Sequence, residues 1–196
     1  MSAFDMTPAT DRLATLVAAV PDDVLTGPTP CPDMSVGDLV DHIAGLSLAF
    51  TAAATKEPLP GGPAGPSADA SQLADDWRTS VPARLHGLAE AWQRPEAWDG
   101  MTIAGPIEMP APVAGLVTLD EIVVHGWDLA RATGQPFAVE PDLLELLHGF
   151  VAQFTGPGKE ADREGLFGPE VPVPDGAPLL DRVIGMTGRD PAWSPT

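Results

Sequence analysis

A single cysteine, Cys31, stands in the whole chain, so no internal disulfide can form, and a reducing compartment suits it. Lysine is nearly as scarce, with only Lys56 and Lys159, and acidic residues outnumber basic ones 28 to 10 for a formal net charge of −18. Such a surface repels phosphate backbones and anionic lipid, so neither nucleic acid nor a membrane surface is an expected partner. No run approaches the ~18 uninterrupted apolar residues of a membrane span, so none is expected. The N-terminus lacks a basic stretch leading into an apolar one, so no signal peptide is expected and the protein reads as cytoplasmic. Also missing are a P-loop, a dinucleotide fingerprint, a Cys-x-x-Cys pair and a serine-hydrolase elbow. There is no internal repeat.

What is present is enough for one domain. The 196 residues are 44% hydrophobic, ordinary for a globular protein, and are read as a single unit, 1–196. Apolar groups at Leu13, Leu16, Val17 and Val20 predict a helix over Asp11 to Val20, ended by Pro21. The proline-rich TGPTPCPDM reads as a rigid connector. Ser35 is a good N-cap for a second helix, with Asp38 completing a variant of the capping box. Along it, Val36, Leu39, Val40, Ile43, Leu46, Ser47 and Phe50 form one stripe, with His42 on its flank. A Pro/Gly loop follows from Lys56 to Ser67. A third helix is expected over Asp69 to Trp92, kinked or divided at Pro82. Met101 to Met109 reads as an extended excursion or hairpin. A fourth helix spans Val113 to Thr133 and stops at Gly134. A fifth, Pro141 to Phe154, is apolar over a wide arc and is expected to be well buried. Residues 156–176 read as loop, before a short helix over Pro178 to Thr187. Four longer helices with short extra pieces argue for an all-α helical bundle.

Chemistry concentrates on two of these helices. Glu121 and His125, at i and i+4, share one face of the fourth helix. Should the second helix pack beside it, His42 joins them in a 2-His-1-carboxylate set: three ligands for a divalent metal, with a position left open for water or substrate. Thr118 and Glu121 also fit a capping box, which requires the helix to begin at residue 118; an interior Glu121 requires an earlier start. Asp38 and Asp128 are placed to orient a ligand imidazole, though a cap suits Asp38 better. His86 and His148 lack partners at helical spacing and read as structural or surface residues. Cys31 has neither a histidine neighbour in sequence nor a helix N-terminus to activate it, and reads as a small buried side chain. Trp127 is expected to pack between helices.

The stretches TPCPDMSVGDLVDHIAGL and LDEIVVHGWDLARATGQ resemble the two ligand segments of the mycothiol-dependent maleylpyruvate isomerase N-terminal domain, one of the DinB-like metal-binding bundles common in actinobacteria. The ending PLLDRVIGMTGRDPAW is similar to that of an uncharacterised actinobacterial branch of that group. The resemblance implies a DinB-like four-helix bundle, with His42, Glu121 and His125 as ligands of Zn²⁺, or else of Ni²⁺ or Fe²⁺. It also implies mycothiol as co-substrate, in S-transfer to or isomerisation of a small electrophile. Metal-dependent hydrolysis, or metal or ligand binding without turnover, are the alternatives. The isomerase has a further C-terminal domain that helps complete its active site; only a short tail follows the fifth helix here. Arg189 in that tail reads as an anion-binding group or a structural ion pair. A monomer or a homodimer is expected.

Overall fold

The structure is a computed structural model, and it describes residues 3–59 and 67–195. Four long helices make its centre: α1 (Thr7–Ala18), α2 (Val36–Thr55), α3 (Trp77–Trp92) and α4 (Ala111–Thr133). Between α3 and α4 runs an antiparallel hairpin of β1 (Met101–Ala104) and β2 (Ile107–Pro110), with Met101 opposite Pro110 and Ala104 opposite Ile107. Three shorter helices follow: α5 (Pro141–Val151), α6 (Glu160–Arg163) and α7 (Leu179–Met186). The mostly helical architecture agrees with a DinB-like bundle.

Packing follows the sequence stripes. The face of α2 carrying Val36, Leu39, Val40, Ile43, Ser47 and Phe50 is buried, and Ser35 and Asp38 form the reciprocal capping box expected of them. Helix α2 is long and apolar enough to cross a membrane by composition, but 67% of that stretch is buried inside the protein, as befits a core helix. Helices α1 and α2 each pack against both α3 and α4, so the order around the bundle is α1, α3, α2, α4 and consecutive α1 and α2 sit on a diagonal. That order makes α2 and α4 neighbours.

Helix α4 runs 23 residues, about 35 Å, and is buried along most of its length. It starts at Ala111, so Thr118 lies well inside it and its hydroxyl donates to the Ala114 carbonyl at 2.7 Å. The capping alternative for Glu121 is thereby overturned. Gly134 ends the helix with φ +68°, a left-handed position that glycine fills without strain. Near the other end, Gly115 lets the Trp98 ring lie on the helix backbone: an added Cβ would stand 2.4 Å from Trp98 Cζ3.

Several expectations are revised. Helix α1 begins at Thr7, because Pro8 is well placed in a first turn. The third predicted helix resolves into a single turn at Ala70–Gln72 and then α3 from Trp77, which keeps Pro82 inside it. Helix α5 buries a narrower arc than expected: Leu143, Leu147, Phe150 and Val151 face inward, whereas Leu146 is exposed. Of the loop expected over Lys56 to Ser67, residues 60–66 lie outside the described residues.

Candidate metal centre

The adjacency of α2 and α4 brings the three expected residues together. One ligand atom from each of His42, Glu121 and His125 lies within 4.8 Å of the others, and the two imidazoles meet edge to face with ring centres 5.0 Å apart. Ligand atoms of a tetrahedral zinc, each 2.0–2.2 Å from the metal, stand about 3.4 Å apart, so a modest side-chain rotation would close the set on one ion.

Each imidazole is aimed by a second partner. His42 Nδ1 lies 3.2 Å from the Ser67 carbonyl oxygen, which can only accept; Nδ1 therefore carries the proton and Nε2 keeps its lone pair. Ser67 is held in turn by the buried Asp41, whose Oδ2 accepts from Ser67 Oγ at 2.5 Å and from the Asp69 amide at 3.1 Å. Asp38 accepts the Ala70 amide at 2.8 Å, so two carboxylates on one flank of α2 lay residues 67–70 beside His42. His125 is buried. Its Nδ1 faces Asp128 Oδ2 at 3.1 Å, and its Nε2 faces Glu121 Oε2 at 3.0 Å. In both histidines Nδ1 is taken, which leaves Nε2 as the nitrogen available to the set, and His125 Nε2 already faces Glu121, the arrangement found where second partners orient ligating imidazoles.

The electrostatics suit a cation. Burial would lower the His125 pKa, but hydrogen bonds to Asp128 and Glu121 outweigh it and push it up to about 9. Burial would raise the Glu121 carboxyl; the His125 hydrogen bond and the nearby positive charges hold it below its ordinary value. Burial, with the charge of His125, holds His42 below its ordinary value. Without metal, a proton on His125 Nε2 thus bridges to Glu121, in the place a divalent ion would take. Asp120, next along α4, is buried with Oδ1 unpartnered, and burial together with the Glu121 charge pushes its carboxyl up to about 8.

Cys31 arrives from the connector between α1 and α2. With His125 and Asp128 it forms a second group of potential ligands within 4.8 Å. Arg189 already occupies that ground: its Nη2 lies 3.1 Å from Asp128 Oδ2 and 3.9 Å from Cys31 Sγ. A guanidinium between the donors disfavours a second cation there, and burial with the Asp128 charge pushes the thiol up to about 11, so it stays protonated. Cys31 is buried, as expected, but its place beside His125 had no signal in the neighbouring sequence. Asp41 and Ser67 had no local signal either, because their partners lie far off in the chain; Asp128 orients His125 and Arg189 forms an ion pair as expected, though that each is the other's partner had no local signal. His86 sits on the surface near Asp11, and Trp127 is buried in α4.

The larger clefts lie elsewhere. One of about 390 Å³ runs between the end of α2 (Ala49, Ala52) and the hairpin (Met101, Ile103). The space that touches Glu121 on its core side, among Leu13, Ile43, Phe50, Leu85 and Ile122, is about 10 Å³. That wall is apolar and has room for at most one water. Among the described residues, His42 and Glu121 are both half-buried, so the triad is reached from the side away from that wall.

Residues 6–130 match the family model described as the mycothiol maleylpyruvate isomerase N-terminal domain, a span that includes His42, Glu121 and His125. Two uncharacterised proteins of Mycobacterium tuberculosis, from strains CDC 1551 / Oshkosh and ATCC 25618 / H37Rv, are each 34% identical to the chain over 189 residues. The alignment covers 92% of this chain and 93% of each relative. No solved structure matches the chain.

Proposed function

Because the chain belongs to the mycothiol maleylpyruvate isomerase N-terminal domain family, we propose that His42, Glu121 and His125 hold one divalent metal, with zinc as the first candidate, and that the site serves a small thiol of the mycothiol type. The observation that carries this reading is the shared orientation of the two imidazoles: each Nδ1 is committed to a fixed acceptor, Ser67 O or Asp128 Oδ2, and each Nε2 is left for the ion. The donor set, two imidazoles and a carboxylate, is that of three-ligand zinc sites that keep a position open. When bound, such a metal favours thiolate over thiol near neutral pH and polarises an electrophile.

The protein's own residues do the rest. Asp128 and Ser67 fix the rings, the apolar wall behind Glu121 excludes water from the core side, and the side away from that wall admits the reactants. Transfer of the thiol to a small electrophile, or a thiol-assisted isomerisation, is the reaction class this arrangement suits. The same reading takes residues 1–196 as one unit, since the tail reaches the site through Arg189.

Metal analysis of protein purified without a histidine tag, beside His125→Ala, tests the site. One equivalent of metal in the wild type and its loss in the variant is the expected result. No metal in the wild type, or an unchanged content in the variant, would overturn it. A panel of electrophiles offered with mycothiol and other thiols tests the chemistry. Turnover that disappears on chelation supports thiol transfer, and binding without turnover across the panel would reduce the protein to a metal- or ligand-binding bundle.

A further inference from the structure

We infer that Arg189, in the C-terminal tail, is a positioning residue of the metal centre: it acts through Asp128 to set the direction of the His125 imidazole, so that the site is completed by chain outside the matched residues 6–130. The inference rests on the metal reading above.

The geometry is a fork. Arg189 Nη2 donates to Asp128 Oδ2 at 3.1 Å and Nε lies 3.4 Å from Oδ1, so both carboxylate oxygens face one planar guanidinium. The Asp128 side chain is 0% exposed and that of Arg189 12%. A carboxylate so deeply buried is costly without a charged partner, and a bidentate partner also fixes its plane. Oδ2 is the oxygen shared with His125 Nδ1. Rotation of the carboxylate would therefore carry the imidazole, and with it Nε2, away from Glu121 and His42.

The tail is built to deliver this side chain. Gly188, at φ +88°, lies against the Gly168 backbone so closely that an added Cβ would stand 2.7 Å from it, and the turn is closed by the Arg189 amide on the Ile184 carbonyl at 3.1 Å. Arg189 Nη1 also donates to the Thr187 carbonyl at 3.2 Å, which steadies the guanidinium against its own turn. One turn along α4 from Asp128, Arg131 Nη2 donates to the Pro191 carbonyl at 2.8 Å. Arg163 fastens the other side of α7 through the Met186 carbonyl at 2.8 Å. The Arg131 and Arg163 anchors are independent of the Arg189 side chain, so its replacement keeps the tail docked and removes the guanidinium's own contacts, the fork chief among them.

The test is the zinc dissociation constant of the full chain, measured by competition with a chromophoric chelator, for wild type, Arg189→Met, Arg189→Lys, Asp128→Asn and the Met/Asn double variant. Apo-protein melting is recorded for each. Repeating the series near pH 10, above the His125 pKa, largely removes differences in proton competition at His125 and leaves orientation. Loss of an outer partner of a metal-bound histidine weakens binding by roughly 10- to 100-fold, which is the expectation for Arg189→Met. Arg189→Lys keeps the charge and loses the fork, so it falls between, at about 3- to 10-fold. The double variant binds no more weakly than Asp128→Asn, because both residues act through one bond. Zinc binding by Arg189→Met within twofold of wild type, or losses that multiply in the double variant, would overturn the inference while the metal reading stands. Should Arg189→Met not fold, a constant for Arg189→Lys within twofold of wild type overturns it equally. Absence of zinc binding in the wild type would overturn the metal reading, and this inference with it.

Discussion

Zinc and a proton should compete for one atom, His125 Nε2. The imidazole lies between two carboxylates, 3.0 Å from Glu121 and 3.1 Å from Asp128, and satisfies both only by carrying two protons. Its pKa of about 9, against an ordinary 6.5, states the same balance. At pH 7 the protonated form then outnumbers the neutral one by about 100 to 1, a handicap on metal binding of roughly 3 kcal/mol. His42, held below its ordinary value, and Glu121, held anionic, are already in their ligand forms at that pH. The apparent zinc affinity should therefore rise about tenfold per pH unit from pH 7 to about 9, with one proton released per ion, and then level off. Calorimetric titration in two buffers of different protonation enthalpy counts that proton directly. Stability of the metal-free protein must show the reverse face of the linkage. The folded pKa exceeds the unfolded one, so the contribution, about 3 kcal/mol for a shift of about 2.5 units, is complete below pH 6.5 and lost as pH rises through about 9. A zinc affinity independent of pH between 7 and 8.5, with no proton released, would refute the reasoning.

Other perturbations have equally definite outcomes. Gly115→Ala, which in an open helix would stabilise, should here cost about 1–3 kcal/mol by chemical denaturation, because the Trp98 ring it strikes is tied to the Trp92 carbonyl at 2.8 Å and packed against Trp92 and Phe4. Asp120→Asn should flatten a decline in metal-free stability of about 1.4 kcal/mol per pH unit between about pH 4 and 8. The native carboxyl keeps its proton to about 8 while the unfolded one gives it up near 3.8, so melting curves of the two proteins should diverge as pH rises. Asp41→Ala releases Ser67 and with it the acceptor of His42 Nδ1; zinc affinity should fall about tenfold in a chelator competition while Glu121 and His125 are untouched.

The parts of the fold legible in the sequence are those written in local pattern. The α2 stripe, its capping box and the Gly134 stop depend on residues a few positions apart, and the structure has them where the pattern put them. Ligand types on two helices were legible for the same reason; that α2 and α4 are neighbours was an assumption about packing, which the α1, α3, α2, α4 order satisfies. Where two local patterns competed, at Thr118 and Glu121, the sequence alone was undecided. Burial of Ala114, Leu116 and Leu119 in α4 resolves it, because an apolar run already in the helix leaves no start at residue 118. The distant supports of the site were illegible. Ser67 acts through a backbone carbonyl, which has no side-chain signature, and Arg189 reaches Asp128 across 61 positions of chain. Cys31 was weighed against its sequence neighbours, whereas the groups that matter arrive from α4 and the tail.

The diagonal placement of α1 and α2 obliges the chain between them to traverse one end of the bundle, and that traverse leaves Cys31 beside His125. The passage from α2 to α3 leaves Ser67 beside His42, and the tail after α7 delivers Arg189. Three stretches outside the four long helices thus help to form the surroundings of the two imidazoles. Val24, Leu25, Met34, Leu73 and Trp193 tie those stretches to the helix core, but the positions that face the imidazoles lie outside the four helices, so relatives with the same three candidate ligands can diverge there in what they admit to them. Within such a family, the connectors and the tail are where differences in chemistry should be sought.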